Sequence, residues 1–324
     1  MAKAIRIERN GGPEVMQYVD VEVAAPAPDE LQIRHTAIGV NYIDVYDRSG
    51  LYPMTLPGTL GREAAGVVVA AGRKVKGFRN GDRVAYVPSQ PGTYVELRNV
   101  PAAQVVKLPK SISDEQAAAM MLKGLTAQYL LRRSYRVKKG DWILVHAAAG
   151  GVGLILCQWA RALGAKVIGV VGSDAKAALA KKYGCHHTLI RGRDDLVKSV
   201  KALTKGAGVA VVYDSVGAET FYPSLDCLAP LGMMVTYGNA SGPVAPFSPL
   251  ELSKRGSLFL TRPSLFAYIA KRSDLDAMAR ELFRAVSSGK VKIIVGQRYA
   301  LADAAKAHAD LEARKTTGSS VLLP

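Results

Sequence analysis

The stretch Asp141–Arg161, DWILVHAAAGGVGLILCQWAR, constrains this chain more than any other. It opens on the apolar run Trp142-Ile143-Leu144-Val145, the length of a buried strand, and passes through small residues to Gly150-Gly151-Val152-Gly153. Leu154, Ile155, Cys157, Gln158 and Arg161 then follow at helical spacing. Strand, glycine turn and helix form the physical recipe for holding a dinucleotide pyrophosphate. The glycines let the backbone approach, and the helix N-terminus offers N–H groups and a positive dipole end. Ala148 stands where the fingerprint has its first glycine, and a tight turn without a ligand can share this pattern, so the setting must decide. A second apolar run, Gly164–Val171, completes strand, helix, strand. After it come Gly172, Ser173, Asp174 and Lys176, whose chemistry can tell two dinucleotides apart.

At 324 residues the chain is long enough for two ordinary domains. No apolar run reaches 18 residues, so no transmembrane helix is expected. The start, MAKAIRIERNGGPE, has no apolar segment behind its basic residues and does not read as a secretory signal. Cys157, Cys185 and Cys227 are too few and too far apart for a disulfide scaffold or a CxxC zinc pattern, so a cytoplasmic location is expected. The net charge of +16 admits RNA or another anionic partner. The basic pairs Arg132-Arg133, Lys138-Lys139 and Lys181-Lys182 are scattered, and no nucleic-acid-binding motif accompanies them. A solvated basic surface is the simpler reading.

Residues 1 to about 120 read as β-rich, with strands expected at Ala4–Glu8, Leu31–Ala37, Gly66–Ala70, Asp82–Val87 and Thr93–Leu97. Turn signals such as Gly11-Gly12-Pro13 and Asn80-Gly81 separate them, as in a small barrel or sandwich. Near Ser111 the pattern changes. Ser113 and Gln116 form a helix-start signal before Ala117–Leu122. Strands at Trp142–Val145, Val167–Val171, Thr188–Ile190, Val209–Asp214 and Met233–Gly238 then alternate with helices, including Ala175–Tyr183 and Leu196–Leu203. This predicts an α/β, doubly wound parallel sheet whose ligand lies beyond the carboxyl ends of the strands. Helices are expected at Asp274–Ser287 and Leu301–Arg314. A last strand at Ser319–Leu323 suggests that the C-terminus completes the first domain.

Several blocks occur in one order along the whole chain. They are Gly11-Gly12-Pro13-Glu14-Val15, Asn41-Tyr42-Ile43-Asp44, Arg48–Pro53, Gly61–Gly66, Gly81–Val84 and Lys123-Gly124-Leu125-Thr126. Gly140–Arg161, Asp214–Gly217, Tyr237-Gly238-Asn239 and Thr261–Leu265 follow. In these the chain resembles the zinc-independent quinone oxidoreductases of the medium-chain dehydrogenase/reductase superfamily, the zeta-crystallin-like group. The resemblance implies a GroES-like β-rich catalytic domain, residues 1–122 with 263–324, and a Rossmann cofactor domain, residues 123–262. It places the active site in the cleft between them. It also implies a homodimer joined through cofactor-domain strands.

Zinc members of the superfamily have a Cys where this chain has Asn41 and a His where it has Arg62, and no cysteine cluster for a structural zinc is present. No metal is therefore expected. Cys185-His186-His187 reads as ordinary loop chemistry. At the end of the second Rossmann strand an acidic residue would favour NAD; here Gly172 and Ser173 occupy the turn and Lys176 follows. With Arg191, these suit a ribose 2′-phosphate, so the expected cofactor is NADPH. Asp174 is read as a helix N-cap turned away from that phosphate. By motif, Ala149, Gly150, Gly151, Val152 and Gly153 serve the pyrophosphate. Lys123, Thr126, Ser215 and Val216 are further cofactor contacts. Asn239 lies at the nicotinamide end beside Gly238, and Tyr237 either packs on the ring or is a core aromatic. Asn41 counts with the cofactor contacts and also with the substrate side, which is Asn41, Tyr46, Tyr52 and Arg262. Asn41 and Tyr46 are read as hydrogen-bond donors to the acceptor, Arg262 as a fixed positive charge, and Tyr52 as a donor or aromatic wall. The expected activity is quinone reduction. Reduction of an enone or enal double bond and binding of single-stranded RNA are the alternatives.

Overall fold

The computed structural model describes all 324 residues and divides into two compact units. The first comprises Met1–Leu125, Ile269–Ser287 and Ile293–Pro324; the second comprises Thr126–Tyr268 and Ser288–Lys292. The N-terminal part forms β1 (Ala2–Ile7), β2 (Gln17–Val21), β3 (Glu30–Val40), β4 (Gly58–Thr59), β5 (Ala64–Ala71), β6 (Arg83–Tyr86), β7 (Leu97–Pro101) and β8 (Val105–Lys107). Two helices accompany them, α1 (Tyr42–Ser49) and α2 (Asp114–Tyr129), and the chain enters the second unit within α2.

The second unit carries β9 (Trp142–Val145), β10 (Lys166–Val171), β11 (His187–Ile190), β12 (Val209–Asp214), β13 (Leu228–Thr236) and β14 (Phe259–Thr261). Between them lie α3 (Gly151–Ala162), α4 (Asp174–Lys182), α5 (Leu196–Leu203), α6 (Phe221–Cys227) and α7 (Leu250–Lys254), with α8 (Leu265–Tyr268) after the last strand. The strand order is β11-β10-β9-β12-β13-β14, all pairs parallel. This is the doubly wound order, with its switch point between β9 and β12. Helices on both faces explain the near-continuous apolar runs of β9, β10 and β12. Leu144, Ile168, Val212, Phe221, Leu225 and Met234 form the core.

The chain ends with α9 (Arg272–Ser287), β15 (Val295–Ala300), α10 (Ala304–Glu312) and β16 (Ser319–Leu323). β16 pairs antiparallel with β3, Ser320 opposite Val40 and Leu322 opposite Ile38. The last strand therefore lies beside the one that leads into Asn41. The sheet runs β15-β16-β3-β5-β6-β8, with β7 also on β3; β2-β1-β4 form a second, small sheet. Ile5, Leu31, Ile33, Ile38, Tyr86, Tyr94 and Leu322 fill the core of this unit.

Two local expectations differ from the fold. The stretch 93–96 makes only an isolated antiparallel bridge, Val95 opposite Ala4, because the Tyr94 N–H donates to Leu60 O and the Thr93 N–H to Gly61 O; the continuous strand starts at Leu97. The segment after Asn41, where no helix is expected from the sequence, is the helix α1. It is capped by Asn41 and Asp44 at its start and closed by Gly50 at φ +82° at its end.

Candidate functional site

The glycine turn is built by small residues. The Ala148 N–H donates to Val170 O, and the Gly150 N–H to Ala147 O, which closes the turn ahead of α3. A Cβ on Gly153 would lie 2.8 Å from Ala148 Cα, so only glycine lets the helix sit this close to the turn. Ala148 fits without a first glycine because the opposing position on β10 is itself Gly169; a Cβ there would come within 2.8 Å of Ala148 Cβ. Gly150 is the N-cap of α3 and no side chain caps this end, so the first N–H groups and the dipole are open to an anion. Ala149, Gly151 and Val152 belong to this turn and first helical turn.

The end of β10 carries Gly172, Ser173 and Lys176, the residues expected to tell the two dinucleotides apart. A Cβ on Gly172 would meet nothing within 4 Å, so the backbone is bare there. Ser173 is the N-cap of α4, its hydroxyl accepting from the Lys176 N–H at 3.4 Å. This corrects the reading of Asp174: it is the first residue of the helix, and its carboxylate is held by Arg193 at 3.1 and 3.2 Å. Its charge is thus countered by a cation that the sequence pattern did not single out. Arg191 is paired with Glu219 at 2.8 Å.

Beyond β12 and β13 two loops are laced together. Asp214, fully buried, accepts from the Val216 N–H at 2.7 Å and the Gly217 N–H at 3.4 Å, and from the Thr220 hydroxyl at 2.8 Å. Its carbonyl accepts from the Tyr237 N–H, and Val216 O from the Ser241 N–H. A Cβ on Gly238 would lie 2.9 Å from Ser215 Cα. Ser215, Val216, Tyr237, Gly238 and Asn239 are thereby brought together. Tyr237 is half-buried rather than a core aromatic. The Arg262 Nη1 donates to Gly238 O at 3.0 Å and Thr236 Oγ1 at 3.3 Å, so this cation braces the Tyr237 loop. Thr126 is buried near the start of the unit, where Tyr129 stacks on Tyr268 at 4.4 Å between ring centroids.

In the first unit, Asn41 follows β3 directly and caps α1. Its Nδ2 donates to Glu63 Oε2 at 2.9 Å, and its N–H donates to Asp44 Oδ2 at 2.8 Å. Tyr46 is buried on α1, between Tyr42 at 5.4 Å and Tyr52 at 5.2 Å, and the Tyr52 N–H donates to Tyr46 O. Asn41, Tyr46 and Tyr52 therefore sit on one short structural unit. The Lys123 ammonium donates to Glu63 at 2.9 Å and is itself buried. Arg62 grips Asp47 with Nε at 2.6 Å and Nη2 at 2.8 Å. Asp44 is fully buried, and desolvation, then the neighbouring Asp47, push its carboxyl up to about 7.

No cluster of three or more His, Cys, Asp or Glu side chains is placed to hold a metal ion. Asn41 and Arg62 are instead committed to carboxylates. Cys185 lies 3.5 Å from Cys157, both buried, and His186 Nδ1 accepts from the Val167 N–H, so this cluster packs β10. No helix is long and apolar enough to cross a membrane.

A GroES-like β-rich unit joined to a doubly wound nucleotide-binding unit is the architecture of the medium-chain dehydrogenases. Residues 27–110 match the alcohol dehydrogenase GroES-like domain, and residues 151–284 match the zinc-binding dehydrogenase family. The chain is 51% identical to the quinone oxidoreductase of Pseudomonas aeruginosa, with 100% of both chains covered. It is 45% identical to a 2-haloacrylate reductase of Burkholderia, covering 100% of this chain and 99% of that protein. The crystal structure of Escherichia coli quinone oxidoreductase complexed with NADPH superposes with a TM-score of 0.98 at 50% identity, over 100% of both chains. The chain belongs to the quinone oxidoreductase family of the medium-chain dehydrogenase/reductase superfamily.

Proposed function

We propose that this protein is an NADPH-dependent quinone reductase that works without a metal. One observation carries the reading: an α3 N-terminus left uncapped behind a glycine turn, in a chain that matches over its full length a quinone oxidoreductase crystallised with NADPH. The residues present fit that cofactor. Gly150, Gly151 and Gly153, with Ala149 and Val152, would receive the pyrophosphate on backbone N–H groups. Ser173 and Lys176 would receive the 2′-phosphate at the bare turn of Gly172, with Arg191 beside them. Lys123 and Thr126 of α2, and Ser215, Val216, Tyr237, Gly238 and Asn239, would complete the contacts towards the nicotinamide. When bound, NADPH supplies the hydride.

The protein's own part is orientation and charge. A quinone oxygen gains negative charge as it is reduced, and donors aimed at it lower the barrier. Asn41 retains a second Nδ2 hydrogen beyond the one given to Glu63, and Tyr46 and Tyr52 carry phenol hydrogens on the same loop and helix. These are the acceptor-orienting residues of the proposal. Arg262 contributes by bracing Gly238 and by its positive charge. The proton of the hydroquinone oxygen comes from water, so no buried general acid is needed.

The likeness to a 2-haloacrylate reductase favours a second reading, reduction of an activated carbon–carbon double bond. An acceptor panel separates them. The protein, supplied in turn with NADPH and NADH, is offered 1,4-benzoquinone, 9,10-phenanthrenequinone, a simple enone and 2-chloroacrylate. Rapid turnover of the quinones with NADPH is the expected outcome. Turnover confined to the enone or haloacrylate would reject quinone reduction. The unpaired outer edge of β14, with Phe259 exposed upon it, supports a homodimer formed through the cofactor-domain sheet.

A further inference from the structure

Glu63 is fully buried just ahead of β5, and no role has fallen to it so far. Its position is tightly determined. Oε1 accepts from the Leu122 N–H at 2.8 Å, and Oε2 accepts from both Lys123 Nζ and Asn41 Nδ2 at 2.9 Å. Gly39 makes room for it, since a Cβ there would lie 2.7 Å from the Glu63 Cδ. A carboxylate carries no hydrogen to give, so Asn41 must turn its nitrogen, not its oxygen, towards Glu63. The two ends of a carboxamide have nearly the same shape, so its orientation is set by its hydrogen-bond partners. The pairing with Lys123 matters as well. A lone buried carboxylate here would oppose any negative charge developing on the acceptor, and the ammonium cancels it.

We propose that Glu63 is a positioning residue: it locks the Asn41 carboxamide so that the group offered to the acceptor is an N–H donor. This rests on the role given to Asn41 above and narrows it. The acceptor must place an oxygen that gains charge against Asn41, as a quinone or enone carbonyl does.

The test is a double-mutant cycle with 1,4-benzoquinone and NADPH. Glu63→Gln removes the rule that forces the amide orientation while keeping the shape. It should lower kcat/KM by at least about tenfold, the scale of losing a transition-state donor. The Kd for NADPH, followed by nicotinamide fluorescence, should stay within about twofold, and Glu63→Gln should add no further loss in an Asn41→Ala background. An unchanged kcat/KM in Glu63→Gln, or an equal loss in the Asn41→Ala background, overturns the proposal.

A second variant reads the contact without turnover and without depending on how Glu63→Gln folds. Asn41→Asp sets a second buried carboxyl against Glu63 beside the single ammonium of Lys123, and the excess negative charge favours a proton held between the two carboxyls. At pH 7 its infrared spectrum should gain a protonated-carboxyl band over that of the wild type; no gain overturns the proposal. A wild type that reduces no quinone, beside an Asn41→Asp variant that gains the band, rejects the quinone reading and leaves the Glu63 contact standing.

Discussion

At the scale of single residues, the buried polar chain behind α1 has a readable polarity. Arg48 Nη1 lies 3.0 Å from His308 Nδ1, and an arginine can only donate, so His308 carries its hydrogen on Nε2. That nitrogen lies 3.0 Å from the Tyr94 oxygen and donates to it, and the Tyr94 hydroxyl donates to Asp44 Oδ2 at 2.9 Å. Asp44 Oδ1 is buried with no partner, so a proton on Asp44 belongs there. The carboxyl is raised to about 7, chiefly by desolvation, so the folded state keeps a proton that the unfolded chain gives up near pH 4. Its contribution to stability is present below pH 4 and is lost as pH rises towards 7, by no more than roughly 4 kcal/mol. Burial acts the other way on His35, lowered to about 4, and His308, lowered to about 3; their contribution is lost as pH falls below 6.5. Asp44→Asn keeps an acceptor for Tyr94 and for the Asn41 N–H but cannot ionise. Its Tm relative to wild type should rise between pH 5 and pH 8, and parallel curves would reject this account of Asp44. Cofactor choice also belongs to this scale. Lys176→Ala should raise the KM for NADPH by about tenfold, as loss of a charge-assisted bond does, with little change for NADH. An equal effect on both would remove Lys176 from the 2′-phosphate site. The basic and small residues at this turn were legible from their order; the Arg193–Asp174 pair was not, because it spans the helix α4 and the strand β11.

At the scale of elements, the turn into α3 is set by steric fit. Gly153→Ala forces a Cβ into backbone atoms of Ala148, an overlap that costs about 1–3 kcal/mol in packed sites. Calorimetry should show a clearly lower Tm for Gly153→Ala, together with weaker NADPH binding. Gly172→Ala meets open space and should leave Tm unchanged. Equal Tm values for the two variants would mean that the turn relaxes freely. The periodic helix and the apolar strand on either side made this element plain in the sequence. Helix α1 was hidden for the opposite reason. Its buried residues include Asp44, Asp47 and Arg48, so its inward face is polar and shows no apolar stripe. The partners that make this burial tolerable, Arg62, Tyr94, His308 and Glu312, come from distant parts of the chain. The strand expected at 93–97 is cut to an isolated bridge likewise, because the Thr93 and Tyr94 N–H groups bond to the Leu60–Gly61 turn, a tertiary choice that no local propensity encodes.

At the scale of the whole molecule, the open edge of the second sheet makes one further prediction. β14 ends the strand order and Phe259 is 55% exposed on it. Light scattering should give twice the chain mass for the wild type and the chain mass for Phe259→Lys, since a charge on an edge strand blocks edge pairing. A monomeric wild type would reject the dimer.

The sequence by itself determined the doubly wound unit, the glycine turn ahead of α3 and the family, because apolar periodicity, glycine spacing and ordered motif blocks are local properties of the chain. Only the tertiary structure decided that Asn41 points its nitrogen at Glu63, that Asp174 is neutralised by Arg193, and that Asp214 ties two loops together. The Arg193–Asp174 pair is exposed to solvent, whereas the Asn41–Glu63 bond and the contacts of Asp214 are made in places that water does not reach. There an unpaired charge is too costly to leave, so the fold must supply the partner that the local sequence does not name.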